Sequence, residues 1–337
     1  MHALAAVRQE RVDSAGTARR EDNLTVRQNI KLIFAAVMVT LMVLAGELTG
    51  EKEIIFPEAA ALFVGACVME KSPWRVSKIR MMIVMPIAAA VGLGISVFLD
   101  MPMYFKVMSG LVVCVGILLL SRTTMLPLLS ACVLPIMTNA KSPWYIASVA
   151  TITLAAVLLQ LIMEKTGLRK KRKFFPVKYN KKAELIRWSY IIAVFSVVVL
   201  FASGFNVLYI AAPPIIVAFC EFSYSHSPAR RSPVVIFCMT VFCSFLGAAS
   251  RLLMCETLGL PLWSAAAVTI LCVLYSMQAV KIFFPPTAAL AILPMIIPSG
   301  QLLLYPIEVT AGAALLISLA MLLKIPNHRR RSAAREN

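Results

Sequence analysis

Leu126-Pro127-Leu128-Leu129-Ser130-Ala131-Cys132-Val133-Leu134-Pro135 returns 159 residues later as Pro285-Pro286-Thr287-Ala288-Ala289-Leu290-Ala291-Ile292-Leu293-Pro294. Both copies are apolar, both end in Leu-Pro, and both place prolines eight positions apart, at Pro127 and Pro135 and at Pro286 and Pro294. Outward from this stretch the duplication continues. Lys71-Ser72-Pro73-Trp74-Arg75 finds its counterpart in His226-Ser227-Pro228-Ala229-Arg230, and the apolar runs before them begin near Pro57 and Pro213. Two units of similar length follow each other, so the chain reads as a fused pair of repeats, and a site between repeats is the first functional expectation.

The 337 residues are 60% hydrophobic and only 15% charged, with a mean hydropathy of +0.83. That is too apolar for an ordinary soluble domain. Runs long enough to approach the roughly 30 Å hydrocarbon core of a bilayer lie at 33–48, 54–69, 79–99, 104–120, 125–137 and 144–163. Six more lie at 188–203, 207–222, 234–254, 262–280, 283–297 and 302–323. In lipid every backbone polar group must be satisfied within the protein, and no period-2 alternation suggests a barrel, so the segments read as helices. The expected fold is an all-α polytopic transmembrane helical bundle of about twelve segments, arranged as two parallel six-segment repeats with a short or broken helix in each. An even number of crossings per unit makes the repeats parallel.

The net charge of +17 is a matter of topology rather than of nucleic-acid binding. With the N-terminus in the cytoplasm, 29 of the 33 Lys and Arg fall on the cytoplasmic side, leaving Lys52, Lys106, Lys141 and Arg251 outside. This is the positive-inside pattern. It predicts an integral protein of a bacterial-type inner membrane with both termini cytoplasmic. The expected divisions are a tail at 1–30, a first repeat at 31–163, a basic linker at 164–187, a second repeat at 188–324 and a basic tail at 325–337. Within the linker, Arg169-Lys170-Lys171-Arg172-Lys173 also suits anionic lipid. The first thirty residues hold no cleavable apolar core and read as a flexible tail rather than a signal peptide. The eight cysteines lie in or beside apolar runs without a Cys-x-x-Cys pair, and so read as packing residues.

The segments 125–137 and 283–297 are the shortest, reaching about 20 Å at 1.5 Å per residue. Pro135 and Pro294 lack the N–H that a continuing helix uses, so each helix should end or kink there. Paired short segments in corresponding positions are the best sequence pointer to a transporter's substrate site. Candidate substrate-binding residues therefore cluster around them: Pro127 and Pro286 at the helix starts, and Ser130 and Thr287 within. Arg122 and Lys281 precede the two segments at equivalent positions, and two readings stand for them, an anion-attracting pair beside helix N-termini or snorkelling anchors. Ser72 with Arg75, and Ser227 with Arg230, form a second matched set, either anion donors or caps in the loops after the second helix of each repeat. Glu58 and Glu308 are acids inside apolar runs and possible coupling sites; Gln160 and Gln278 suit bonds between helices. The histidines, His2, His226 and His328, lie in tails or loops, and no His-Glu-x-x-His, Gly-x-Ser-x-Gly or phosphate-loop motif occurs. No enzyme activity, cofactor or metal is expected.

At these residues the chain resembles the HPP family of integral membrane proteins. The resemblance is carried by Ala212-Pro213, Ser227-Pro228-Ala229-Arg230-Arg231-Ser232-Pro233, Gly247 and Phe284-Pro285-Pro286-Thr287-Ala288-Ala289, with a fainter copy in the first half. It covers about residues 54–323. The histidine that names the family is replaced by Phe284 in the second half and Met125 in the first, so a role needing imidazole is absent. Plastid members are associated with nitrite transport, so the resemblance implies a transporter or channel for a small inorganic anion. A permease or exporter for an organic or apolar solute is the alternative, suggested by how few polar residues occupy the short helices. A non-transporting scaffold or sensory subunit is a third.

Overall fold

The computed structural model describes residues 2–171, 174–177, 179, 181–224 and 227–322; the side chains of 2–24 and 181 are outside the description. His226, linker residues 172, 173, 178 and 180, and the basic tail at 325–337 also lie outside the described residues. Twelve α-helices and no strand occur among the described residues. They are α1 (His2–Thr49), α2 (Glu58–Phe63), α3 (Lys78–Phe98), α4 (Met103–Leu120), α5 (Pro127–Met137), α6 (Trp144–Lys165), α7 (Lys181–Gly204), α8 (Pro213–Ser223), α9 (Pro233–Ser250), α10 (Leu262–Val280), α11 (Pro285–Ile292) and α12 (Tyr305–Leu322). The stretch expected as a flexible tail at 1–30 enters the first helix, whose apolar portion is Thr25–Thr49.

Eight helices are long and apolar enough to cross a membrane: α1, α3, α4, α6, α7, α9, α10 and α12. The chain is an integral membrane protein built as a helical bundle. The other four helices are short. Helix α2 has six residues before a π-helical turn at Val64–Val68, α5 and α8 have eleven each, and α11 has eight. An eleven-residue helix is about 16 Å long, half the hydrocarbon thickness.

Prolines set where these short helices begin. Pro57 precedes α2, Pro127 opens α5, Pro213 and Pro214 open α8, and Pro285 and Pro286 open α11. In the first turn a proline forfeits no helix hydrogen bond and its φ is already helical. The second proline of each duplicated segment acts near the other end. Helix α5 stops at Met137, two residues past Pro135, and α11 tightens into a 3-10 turn at Leu293–Met295 around Pro294.

The same contacts occur in both halves of the chain. Helix α3 packs on α5 and α6, and α9 packs on α11 and α12. Between the halves, α1 packs on α10 as α7 packs on α4, and α2 packs on α11 as α8 packs on α5. The short helices thus form part of the contact between halves, beside the long pairs α1–α10 and α4–α7. Two glycines bring backbones together at equivalent places: a Cβ on Gly92 of α3 would lie 2.1 Å from the Cys132 carbonyl oxygen, and one on Gly247 of α9 would lie 2.1 Å from the Ala291 oxygen. Small residues permit such helix contacts in lipid, where close van der Waals packing replaces the hydrophobic drive.

Polar contacts tie helix ends to one another. At one face, Arg80 Nη1 at the start of α3 donates to the Ser121 carbonyl after α4 (2.9 Å), and Lys78 pairs with Glu164 near the end of α6. At the other, Ser96 near the end of α3 donates to the Ala140 carbonyl (2.8 Å), and Glu53 accepts from the Lys141 and Ser142 N–H groups before α6. The first is here termed the basic face. Gln278 of α10 donates to Asn29 of α1 (3.0 Å), a bond between helices, whereas Gln160 donates to Glu164 within α6.

The glycine contacts give a stability prediction. Gly92→Ala and Gly247→Ala each force a methyl into a backbone oxygen and should cost about 1–3 kcal/mol, seen as a lower thermal midpoint in detergent. Gly94→Ala and Gly116→Ala, whose added Cβ meets nothing within 4 Å, should leave it unchanged or raise it.

Candidate functional site

A cavity of about 350 Å³ opens at the face opposite the basic one, where the C-terminal ends of α5 and α11 meet α12 and the turn before α8. Three pairs of its lining residues occupy equivalent positions in the duplicated segments: Leu134 and Leu293, Met137 and Ile296, Thr138 and Ile297. The cavity therefore lies between the two halves. Its wall is completed on one side only, by second-half residues that include Tyr209, Gln301 and Glu308.

The polar groups of this wall are linked. Glu308, in the first turn of α12, is nearly buried, and its Oε2 accepts from the Tyr209 N–H (2.8 Å). A carboxylate near a helix start is favoured by the helix dipole. The Tyr209 hydroxyl donates to Gln301 Oε1 (3.0 Å), leaving the Gln301 amide N–H groups available to a solute. No Lys or Arg lines the cavity. The corresponding region of the first half carries different polar groups. Ser148 stands where the second half has Glu308, its hydroxyl donates to the Ile54 carbonyl, and Glu53 clamps the turn before α6.

Of the residues singled out in the sequence, two meet across 72 positions. Ser130 donates to Glu58 Oε1, and Glu58 is 1% exposed, with no partner for Oε2 among the described residues. Pro127 and Pro286 are buried helix openers, and the Thr287 hydroxyl turns back to the Phe284 carbonyl (2.7 Å).

Arg122 and Lys281 are exposed, and neither lines the cavity. Their equivalence is a backbone one. Both adopt the left-handed conformation, φ 51° and 58°, just past the ends of α4 and α10. The Arg122 N–H bonds the Leu119 carbonyl and the Thr123 N–H the Leu118 carbonyl; the Lys281 and Ile282 N–H groups reach the Gln278 and Met277 carbonyls. That pairing of bonds closes a helix in a Schellman-type turn.

Ser72 and Arg75 line a separate groove of about 830 Å³ on the basic face, within the first half, together with Lys78, Arg169 and Lys170. Ser72 donates to the Trp74 carbonyl, and the Arg75 N–H donates to Thr124 Oγ1 (2.8 Å). Ser227 donates to Glu221 and accepts from the Ala229 N–H. Arg230 donates to the carbonyls of Phe222, Ala320 and Met321 at 2.7–2.9 Å, closing the C-terminal ends of α8 and α12 together.

Several polar residues of the site are not among the sequence candidates. Tyr209, Gln301 and Thr138 sit inside or beside apolar runs, where a single hydroxyl or amide gives no signal. Tyr145 and Tyr305 donate to the carbonyls of Ala131 and Leu290, again 159 residues apart; their matching places near the starts of α6 and α12 are a detectable sign. Arg251, expected on the outer side at the end of the 234–254 segment, is 7% exposed and donates to the Pro294 and Ile297 carbonyls beyond α11.

Comparison with protein-family models, curated proteins and solved structures finds no match for the chain.

The capping geometry separates structural from solute-binding cations. Arg230→Ala strips the donors from three helix-end carbonyls and should lower stability by about 1–3 kcal/mol in a detergent melt. Arg122→Gly and Lys281→Gly relieve left-handed strain and should leave the midpoint unchanged or raise it by up to about 1 kcal/mol equivalent.

Proposed function

We propose that the protein is a membrane transporter or channel for a small solute, with its pathway at the interface of two parallel six-helix repeats. The observation that carries this reading is the cavity between the ends of α5 and α11, lined by equivalent residues from the two halves and by a linked Tyr209, Gln301 and Glu308. Short helices at matching positions, with cavities where their backbones end, are a recurrent design of secondary transporters. In this reading all twelve helices cross or half-cross the bilayer, and the basic face is cytoplasmic, as the distribution of Lys and Arg requires. The basic groove at Arg75 and Lys78 is then a lipid-side feature that suits anionic headgroups.

The resemblance to HPP proteins supports a nitrite-like anion as the solute. The cavity supports an organic solute carrying a hydrogen-bond donor or an amine more strongly. Its ionisable lining residue is an acid, its wall is mainly apolar, and the paired cations Arg122 and Lys281 stand outside it as helix caps. A carboxylate facing an anion without a compensating cation repels it. A scaffold without a pathway is the weaker reading, because a cavity that holds a few polar groups lies between the halves.

Uptake into proteoliposomes distinguishes the solutes, with nitrite and benzylamine as probes. Benzylamine uptake should occur in the parent, fall about 10-fold or more in Glu308→Gln through loss of a charged hydrogen bond, and persist in Arg122→Ala with Lys281→Ala. Nitrite uptake that is lost in the double variant and untouched by Glu308→Gln would return the anion reading.

A further inference from the structure

Glu58 is the acid of this protein that its packing leaves least explained. Its helix, α2, packs against α1, α5, α6 and α11, so the side chain belongs to the contact between the halves. The carboxyl is 1% exposed; Oε1 accepts from Ser130, and the buried Oε2 has no partner among the described residues.

The titratable groups within its electrostatic reach are Tyr145 of α6 and Tyr305 of α12, both of which give their protons to backbone carbonyls. Cys132 of α5 acts on the same Tyr145. Among the described residues no lysine, arginine or histidine from α1, α5, α6 or α11 acts on Glu58. A lone carboxylate in such surroundings costs several kcal/mol, while an apolar residue costs nothing. The second half is an internal control. Pro214 follows Pro213 where Glu58 follows Pro57, and Ala289 stands where the first half has Ser130. The second half builds the same short helices in the same contacts without either polar group, so the fold does not require the pair.

Aromatic packing separates this carboxyl from the cavity. Tyr305 meets the ring of Tyr209 edge-on at 5.3 Å, and Tyr209 lines the cavity beside Glu308. We propose that the Glu58 carboxyl, braced by Ser130, is a proton-binding site between the halves, and that solute movement is coupled to it. The step is balanced: the carboxylate takes one proton from hydronium at Oε2, leaving water, and returns it to water as hydronium, with Ser130 keeping its own proton throughout. The coupling rests on the transporter reading; the proton site does not.

The test is infrared difference spectroscopy on the full-length protein in liposomes, without solute, between acidic and alkaline buffer in H₂O and D₂O. The expected result is a carboxylic-acid carbonyl band that appears on acidification, shifts in D₂O, disappears in Glu58→Gln and moves to higher frequency in Ser130→Ala, where the hydroxyl no longer donates. Glu308→Gln should leave that band in place. Absence of a titrating band in the parent, or a band untouched by both Glu58→Gln and Ser130→Ala, overturns the proposal. If Glu58→Gln does not fold, the Ser130→Ala shift decides the assignment alone. A titrating Glu58 band in a protein that carries neither nitrite nor benzylamine would keep the proton site and remove the transporter reading. Uptake without the band would do the reverse.

Discussion

A helix no more than about half as long as the bilayer core is thick must hide the polar groups of both its ends inside the protein, and this structure is organised around four such helices. In hydrocarbon, an unsatisfied carbonyl or N–H costs several kcal/mol. The N-terminal ends are handled by proline, which removes N–H groups that would otherwise need acceptors. The C-terminal ends are handled by side chains from neighbouring helices, with Arg251 bonded to the carbonyls past α11 and Arg230 to the end of α8. Within the short helices, Tyr145 and Tyr305 reach the carbonyls of α5 and α11. Arg230, a sequence candidate for anion binding, and Arg251 are thus both engaged in satisfying backbone.

The halves share a framework and differ in what they place on it. Equivalent residues form the glycine contacts, the tyrosine bonds and the left-handed turns after α4 and α10. The differences are polar. Glu58 with Ser130 belongs to the first half alone, and Glu308 replaces the Ser148 of the first half. In the first half Glu53 accepts from the backbone before α6, whereas the second half places Tyr209, Gln301 and Glu308 around a cavity. The shared contacts set the scaffold, and the polar differences between the halves set the candidate site.

The bundle was legible because a long apolar run has one solution in lipid, and the short helices because a proline marks each start. Hydropathy could not foresee that the run at 54–69 carries only six α-helical residues before a π turn, since an apolar run looks the same in either state. The pairing of Glu58 with Ser130 was out of reach because it joins residues 72 apart. Arg122 and Lys281 drew attention by symmetry, and their symmetry is real, but what repeats is the left-handed turn that ends a helix. The cavity's own polar groups were hidden among apolar neighbours, where neither charge nor spacing sets them apart.

The central claim, that solute passes between the ends of α5 and α11, is tested most directly by fastening those ends together. Met137→Cys with Ile296→Cys places thiols on equivalent residues that face the cavity. A short bis-methanethiosulfonate should stop uptake of any solute the parent carries, and a reducing agent should restore it, while the parent with its eight native cysteines keeps its uptake under the same treatment. Full uptake in the cross-linked protein would contradict a pathway at this interface.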